Sequence, residues 1–210
     1  DFDHASILEY IQQKYPDIVL VGGTSVGEMS SIEGFQQDSL SLILFCSDEV
    51  TFSAGVGHNV QENTAAATTA AIETALAGSA HTVSDIKLCY TLCEGLAVDG
   101  AAVVTNLRQA TNQTVPIFGG LTADDYQFTN TYQFLGTDVL ENAVVVLTFF
   151  GNLKVSFGVG TGQRPVGRKA IATKSVGYTL YEIDEKPAKE FYAPYFGDQE
   201  VKIDGGSISS

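Results

Sequence analysis

The chain has 210 residues, 44% of them hydrophobic, and it carries 11 Lys and Arg against 25 Asp and Glu. The net charge of −14 argues against binding to a nucleic-acid backbone or to an anionic membrane surface, because both need clustered cations. The longest apolar stretch, Ala143–Phe150, is shorter than the roughly 20 residues that cross a membrane as a helix. We therefore expect a globular, cytoplasmic protein that buries a substantial core.

Helical signals occur in four segments. Apolar residues recur at helical spacing in the first and third segments, Gly78 can end the second, and Pro187 suits a first helical turn. The predicted helices are Ser6–Lys14, Asn63–Leu76, Asp99–Ala110 and Pro187–Tyr192. Apolar runs between them predict strands at Ile18–Val21, Leu40–Phe45, Val50–Val56, Ile86–Leu92, Val115–Phe118, Thr131–Leu135, Ala143–Phe150, Leu153–Val159, Val166–Thr173 and Tyr178–Ile183.

Two short connections predict β-hairpins. Gly151-Asn152 suits a two-residue turn between its flanking strands, and Asp48-Glu49 joins an earlier pair less ideally. Such short connections imply antiparallel pairing. We therefore predict an α+β fold with mixed, mainly antiparallel sheets and helices packed outside, for which a four-layer αββα sandwich is the favoured form.

An internal repeat organises the chain. The segment Ser39–Gly57, SLSLILFCSDEVTFSAGVG, aligns without a gap with Asn142–Gly160, NAVVVLTFFGNLKVSFGVG. Two further pairs match upstream in the same order: Ile18–Gly23 with Val115–Gly120, and Asp3–Leu8 with Asp99–Val104. This repeat predicts two quasi-equivalent halves, about residues 1–80 and 81–184, which share one core because each alone has too few strands.

The repeat also predicts a strand ahead of the first helix. In the second copy, the strand Ile86–Leu92 runs into the helix near Asp99, so we expect an equivalent strand before Asp1. We expect one domain over residues 1–196. Residues 197–210 are then the start of a linker or of a truncated further domain.

Each double glycine of the repeat is followed by hydroxyl and acidic residues. Glycine lets a ligand approach the main chain, and hydroxyl and carboxylate groups just beyond it can hydrogen-bond that ligand. Two such loops, related by the repeat, can face each other across a cleft. The alternative is that the glycines form turns required by packing and the acids are solvated. The candidate ligand-binding residues are Gly22, Gly23, Thr24, Ser25, Glu28, Gly119, Gly120, Thr122, Asp124 and Asp125.

Arg164 completes this candidate set, because a guanidinium is well shaped to bind a carboxylate and basic residues are scarce here. The alternative is a surface patch with its basic neighbours. No catalytic residue, metal or cofactor is predicted. The three cysteines are expected to be buried, reduced thiols, and the three histidines have no partner at metal-ligand spacing. Thr24 or Ser25 could act as a nucleophile only with a base, and no His or Lys lies near them in sequence.

Four motifs together resemble the FIST N-terminal domain. Val19–Glu28, VLVGGTSVGE, is similar to that family's GCSTAGE signature, and Pro116–Asp125, PIFGGLTADD, to its PVFGGLAGDD segment. Gly162–Gly167, GQRPVG, resembles its GWRPVG, and Tyr181–Ala188, YEIDEKPA, resembles its YELDGKPA. These motifs cover most of the chain in family order, so the match is specific.

The resemblance implies a non-catalytic sensory domain of a bacterial signalling protein. It implies a small ligand, such as an amino acid or related metabolite, and two kinds of partner. One is a C-terminal FIST domain, and the other is an output protein such as a histidine kinase, a cyclic-di-nucleotide enzyme or a chemoreceptor. Some family members bind haem and sense nitric oxide, which stays open as an alternative beside a hydrolase with a Thr or Ser nucleophile. The chain departs from the family at Gly23, where cysteine is usual, and at Gln163 and Glu185.

Overall fold

The computed structural model describes residues 2–77, 79–160, 164–165, 167–177 and 179–196, and the backbone of the strand pairs 203–204 and 207–208. Residues up to Val155 form one compact unit, and residues from Ser156 onward form a second. The helices are α1 (His4–Lys14), α2 (Thr64–Leu76), α3 (Gly100–Ala110) and α4 (Ala188–Phe196), with a 3₁₀ turn at Val83–Asp85. The strands are β1 (Val21–Gly23), β2 (Glu28–Ser30), β3 (Gly34–Gln36), β4 (Val50–His58), β5 (Ile86–Cys93), β6 (Ile117–Leu121), β7 (Gln133–Leu135), β8 (Asp138–Leu140), β9 (Ala143–Gly151), β10 (Ala172–Val176), β11 (Thr179–Ile183), β12 (Lys186–Pro187), β13 (Ile203–Asp204) and β14 (Ser207–Ile208).

The predicted helices are confirmed, with small shifts at their ends. Asp3, Asn63 and Asp99 cap the first three, because each side chain accepts a hydrogen bond from a main-chain N–H in the first turn. Asp3 and Asp99 hold the same place in the internal repeat, so the two copies begin their helix in the same way. No helix among the described residues is long and apolar enough to span a membrane.

A four-stranded sheet forms the centre of the first unit. Its strand order is β4-β9-β5-β6, in which only the β5–β6 pair is parallel. Residues 143–150 of β9 are buried on both faces. Val144, Val146 and Phe150 pack with α2 and α3 on one face.

Small residues let α2 lie directly on β4. A Cβ added to Gly57 would stand 1.8 Å from the Ala67 carbonyl oxygen, and one added to Gly55 would stand 2.2 Å from that of Ala71. Alanines on the facing side of the helix are fully or almost fully buried. This close approach explains why both the strand and the helix are poor in large side chains.

A second sheet covers the other face of the first one. It has the order β1-β7-β8, and Gly23 in β1 lies against the Leu92 side chain of β5. Helix α1 packs outside this sheet, where Leu8 and Ile11 are buried beside Leu20 and the ring of Phe134. Within the first unit the layers therefore run helix, sheet, sheet, helix, and the predicted α+β fold is confirmed.

The predicted hairpins are wrong. Leu40–Phe45 and Leu153–Val159 form no regular strand, and β4 pairs instead with β9, which belongs to the other copy of the repeat. With β4 on one side and β5 on the other, β9 has both edges paired and both faces covered. A hairpin with its sequence neighbour would leave part of that apolar strand exposed.

Several strand bounds also differ from the predicted ones. The first strand is Val21–Gly23 rather than Ile18–Val21, and the first strand of the second unit is Ala172–Val176 rather than Val166–Thr173. Val166, Tyr178 and residues 161–163 lie outside the described residues, as do most of residues 197–210. The short strands β2, β3 and β8 were not predicted, because three residues carry too little alternation to be recognised.

The second unit contains an antiparallel sheet of β10, β11 and β12 followed by α4. Asp184 organises it: its carboxylate accepts hydrogen bonds from Arg168 at 2.6 Å and from the main-chain N–H of Ile171 at 2.9 Å. These bonds lower the pKa of Asp184 below its ordinary value, the Ile171 N–H contributing most and Arg168 next. The Arg168 guanidinium also lies 4.9 Å from the centre of the Phe191 ring.

Candidate functional site

The double glycines lie within strands, whereas we predicted loops that follow the strands. Gly22 and Gly23 belong to β1, and Gly119 and Gly120 to β6. A Cβ on Gly119 would stand 1.9 Å from the Thr91 carbonyl oxygen of the neighbouring strand. Glycine at 119 therefore serves the close approach of two main chains, whereas a Cβ on Gly120 would meet nothing within 4 Å.

Thr24 joins the two copies of the repeat at the ends of these strands. Its N–H donates to the Tyr132 carbonyl at 3.0 Å, and its hydroxyl oxygen accepts from the Tyr132 N–H at 3.1 Å. Its carbonyl accepts from the Ala123 N–H at 2.9 Å. Similarly, a Cβ on Gly23 would stand 2.4 Å from the methyl group of Thr122. The segment after the first double glycine is thus bonded directly to the segment after the second.

Gln133 and Thr122 form a buried network of polar side chains next to this junction. The Gln133 amide donates to the Thr122 hydroxyl at 2.7 Å and accepts from the Ala143 N–H at 3.2 Å. The Thr122 hydroxyl donates in turn to the Cys93 carbonyl at 3.0 Å. Gln133 is fully buried and was not predicted, since nothing in the strand pattern marks a glutamine as internal.

A cavity of about 530 Å³ opens beside the junction. Hydroxyl, amide and carboxylate residues form one part of its lining, which we call its polar end, and apolar residues of α1 and residues 20–21 line it as well. Of the candidate residues, the cavity is lined by Gly22, Gly23, Thr24, Ser25, Glu28, Asp124 and Asp125.

The remaining candidates lie elsewhere. Thr122 is buried behind the junction, and Gly119 and Gly120 are exposed on β6. None of these three lines the cavity. Arg164 is exposed and belongs to the second unit.

The carboxylates at the polar end are held in different ways. Glu28 accepts hydrogen bonds from the hydroxyls of Ser25 at 2.6 Å and Ser39 at 2.5 Å. Burial tends to raise the pKa of Asp124, but hydrogen bonds from the main-chain N–H groups of residues 128–130 outweigh it and hold that pKa below its ordinary value. Asp125 is exposed and lines the cavity, so its carboxylate is the one best placed for a ligand.

One wall of the cavity is aromatic. The His4 ring lies 5.3 Å from that of Tyr132 and 5.2 Å from that of Phe134, centre to centre. None of these three residues was predicted for the site. The sequence marked His4 only as one of three histidines without a partner at metal-ligand spacing, and the two aromatic residues only as members of a predicted strand. The wall forms because α1 packs across β7.

The cysteines and the other histidines offer no alternative centre. Burial raises the pKa of the Cys89 and Cys93 thiols to about 12 each, so neither is a thiolate at neutral pH. Cys46 is exposed, contrary to the prediction for the three thiols. His81 stacks on Phe150, and within the described residues no group of three or more His, Cys, Asp and Glu could hold a metal ion.

Comparison with known protein families shows which family this chain belongs to. The FIST N domain family matches residues 1–186. The chain belongs to the FIST N domain family. The resemblance read from the four motifs is therefore confirmed, and with it the general role of a sensory domain in signal transduction.

This FIST domain also resembles an archaeal protein. It is 37% identical over 79 residues to the uncharacterised protein MJ1623 of Methanocaldococcus jannaschii. The match covers 38% of this chain and 15% of the relative, so the chain spans only a small part of the relative's length.

Proposed function

We propose that this FIST domain senses a small molecule, such as an amino acid or a related metabolite, at the polar end of the cavity. The observation that carries the proposal is the Thr24 junction. Two glycine-containing segments from distant parts of the chain are hydrogen-bonded there beside one cavity. Such convergence of polar groups on a concave surface is typical of ligand sites.

The charges at this end favour an ammonium group. The cavity is lined by Glu28, Asp38, Asp124 and Asp125, and no Lys or Arg lines it within the part of the chain that the structure describes. The aromatic wall of His4, Tyr132 and Phe134 adds ring faces, which also attract cations. Arg164 belongs to the second unit, and we propose separately that it binds a carboxylate, because its guanidinium has the shape to do so.

We further propose that this domain passes the signal of ligand binding to partner proteins in the cytoplasm of a bacterium. The partners in this proposal are a C-terminal FIST domain and an output protein, such as a histidine kinase, a cyclic-di-nucleotide enzyme or a chemoreceptor. Membership of a family of sensory domains supports this class of partner. A pull-down with each candidate output protein, with and without ligand, tests the relay.

The test of ligand binding is a thermal-shift screen of the purified chain against amino acids, small carboxylates and haem. A ligand at 100 times its dissociation constant stabilises the folded state by about 2.7 kcal/mol, which is a readily measured shift. We expect a shift with at least one amino acid. Asp125→Asn should weaken the affinity for that amino acid at least about tenfold. The matched control is Asp138→Asn, which changes an exposed carboxylate outside the cavity.

Arg164→Gln tests the proposed carboxylate contact in the same assay. Arg108→Gln, on the exposed side of α3, removes an equal charge and serves as its control. Weaker binding of amino acids with unchanged binding of the corresponding amines would support the role of Arg164. The absence of any shift in a folded protein would contradict small-molecule sensing and favour a domain that binds proteins through its acidic surface.

One contact favours hydrolysis as a second candidate function. The Ser25 hydroxyl donates to the Glu28 carboxylate at 2.6 Å, and a hydroxyl beside a carboxylate is the minimum that a serine nucleophile requires. Turnover of activated esters that Ser25→Ala abolishes would establish this function. If the parent chain showed no turnover and Ser25→Ala still bound the ligand, the results would support the sensory function and contradict hydrolysis. A haem-dependent shift would instead direct the search to His4 and His58.

A further inference from the structure

The cavity beside the Thr24 junction combines carboxylates, aromatic rings and aliphatic side chains, and among the described residues its lining holds no Lys or Arg. We propose that this cavity selects a primary amine with an apolar body over the amino acid that carries the same body and an added carboxylate. The inference rests on the proposed function, because it takes the cavity as the sensory site, and it names the class of small molecule that the site binds.

Asn130 connects the acidic loop, residues 124–130, to the aromatic wall. Its main-chain N–H donates to the Asp124 carboxylate at 3.1 Å, and its side-chain amide donates to the Tyr132 hydroxyl at 3.3 Å. Tyr132 and Phe134 lie two positions apart in extended chain, so both rings point to the same face, where the His4 ring contacts them. The carboxylate of Asp124 therefore lies close to the Tyr132 end of the aromatic wall.

Phe134 continues the aromatic wall into an aliphatic surface. It packs against the cluster formed by Leu8, Ile11 and Leu20, and all four residues line the cavity. The lining thus changes from carboxylates through aromatic rings to aliphatic side chains. A molecule with an ammonium group on an apolar body matches this order. Carboxylates and ring faces attract the ammonium group, and burial of the body removes apolar surface from water.

Asp125 is the carboxylate best placed to bind the ammonium group. The carboxylates of Asp124 and Glu28 already accept hydrogen bonds, from the N–H groups of residues 128–130 and from the hydroxyls of Ser25 and Ser39 respectively. Asp125 is exposed and lines the cavity. An ammonium group has three N–H donors and no acceptor, so it suits a site that is rich in oxygen acceptors.

A carboxylate on the ligand meets the opposite conditions. Four acidic residues of the lining repel it: Glu28, Asp38, Asp124 and Asp125. Several main-chain N–H groups that could bind a carboxylate already donate to oxygens of the protein, namely those of Thr24, Gly27 and residues 128–130. The added carboxylate of an amino acid therefore brings repulsion and gains neither a cation of the lining nor these donors.

The test compares three probes that share one ring: phenethylamine, phenylalanine and hydrocinnamate. They carry an ammonium group alone, both charged groups, and a carboxylate alone. Isothermal titration calorimetry on the whole chain should show phenethylamine binding at least about tenfold more tightly than phenylalanine. Hydrocinnamate should bind more weakly than either. Isoamylamine and leucine repeat the comparison with an aliphatic body.

Two variants test where the amine binds. Asp125→Asn should weaken phenethylamine binding at least about tenfold, whereas Asp138→Asn, outside the cavity, should leave it unchanged. Tyr132→Leu removes a ring of the wall but keeps the main-chain hydrogen bonds to Thr24, and it should weaken phenethylamine binding at least about threefold. Its control is Tyr10→Leu, which removes an exposed ring of α1 outside the cavity.

The outcomes separate this inference from the proposed function. If phenylalanine bound as tightly as phenethylamine, or more tightly, the preference for amines would be refuted and small-molecule sensing would stand. If Asp125→Asn and Tyr132→Leu both bound phenethylamine as tightly as the parent chain, the amine would bind elsewhere and the inference would again fail. If the folded chain bound none of the amines, amino acids and hydrocinnamate, the proposed function would fail together with it.

Discussion

Replacing Gln133 by leucine should weaken the fold through a single hydrogen-bonding group. Leucine has nearly the same volume as glutamine, so packing around the side chain changes little. The change removes the acceptor of the Ala143 N–H and the donor to the Thr122 hydroxyl. Thr122 keeps its own hydrogen bond to the Cys93 carbonyl. The Ala143 N–H is left without an acceptor at a residue that is 0% exposed.

The expected loss follows from that orphaned donor. A buried group deprived of its hydrogen-bond partner costs about 1–3 kcal/mol, so Gln133→Leu should lower the free energy of unfolding by about 2 kcal/mol. For a chain of this size, each kcal/mol corresponds to roughly 2–4 °C in melting temperature, which predicts a decrease of about 4–8 °C.

Urea unfolding followed by circular dichroism measures the loss directly. The midpoint should fall while the dependence of the unfolding free energy on urea stays constant, because the surface exposed on unfolding is unchanged. Gln109→Leu on the exposed side of α3 is the matched control, and its stability should change by less than about 0.5 kcal/mol. If the two variants were equally stable, the Gln133 network would have no role in holding the junction together.

Two further predictions concern close contacts and charge. Gly119→Ala and Gly57→Ala each drive a Cβ into a neighbouring main chain, and each should lower the free energy of unfolding in urea by about 3 kcal/mol or more. Gly120→Ala should change that free energy by less than about 0.5 kcal/mol. Equal losses at positions 119 and 120 would contradict the roles assigned to these glycines. The folded-state pKa of Asp124 lies below its ordinary value of 3.8, so its stabilisation is complete above that pH and is lost as pH falls through the lower, folded-state value. Asp124→Asn should therefore flatten the acid side of a stability–pH curve relative to Asp125→Asn, and identical curves would show that the bonds to residues 128–130 do not matter.

The helices and the family were predictable because their signals are local. Asp3, Asn63 and Asp99 mark helix starts by a hydrogen bond to residues two or three positions away, and such contacts are encoded in short stretches of sequence. The strand partners were not predictable in the same way. The repeat placed β4 in one predicted hairpin and β9 in the other but could not show that they pair with each other, since pairing depends on which arrangement buries β9 on both faces.

The candidate site shows the same contrast between local signals and long-range contacts. The sequence by itself determined the two double-glycine segments and the hydroxyl and carboxylate residues after them, because composition and repetition are visible in the chain. Only the tertiary structure decided that Thr24 bonds to Tyr132 and Ala123, that Gln133 supports Thr122 from below, and that His4 enters the cavity wall. The physical reason is that these contacts join segments far apart in sequence. Their partners are selected by the packing of whole sheets and helices, not by any local preference.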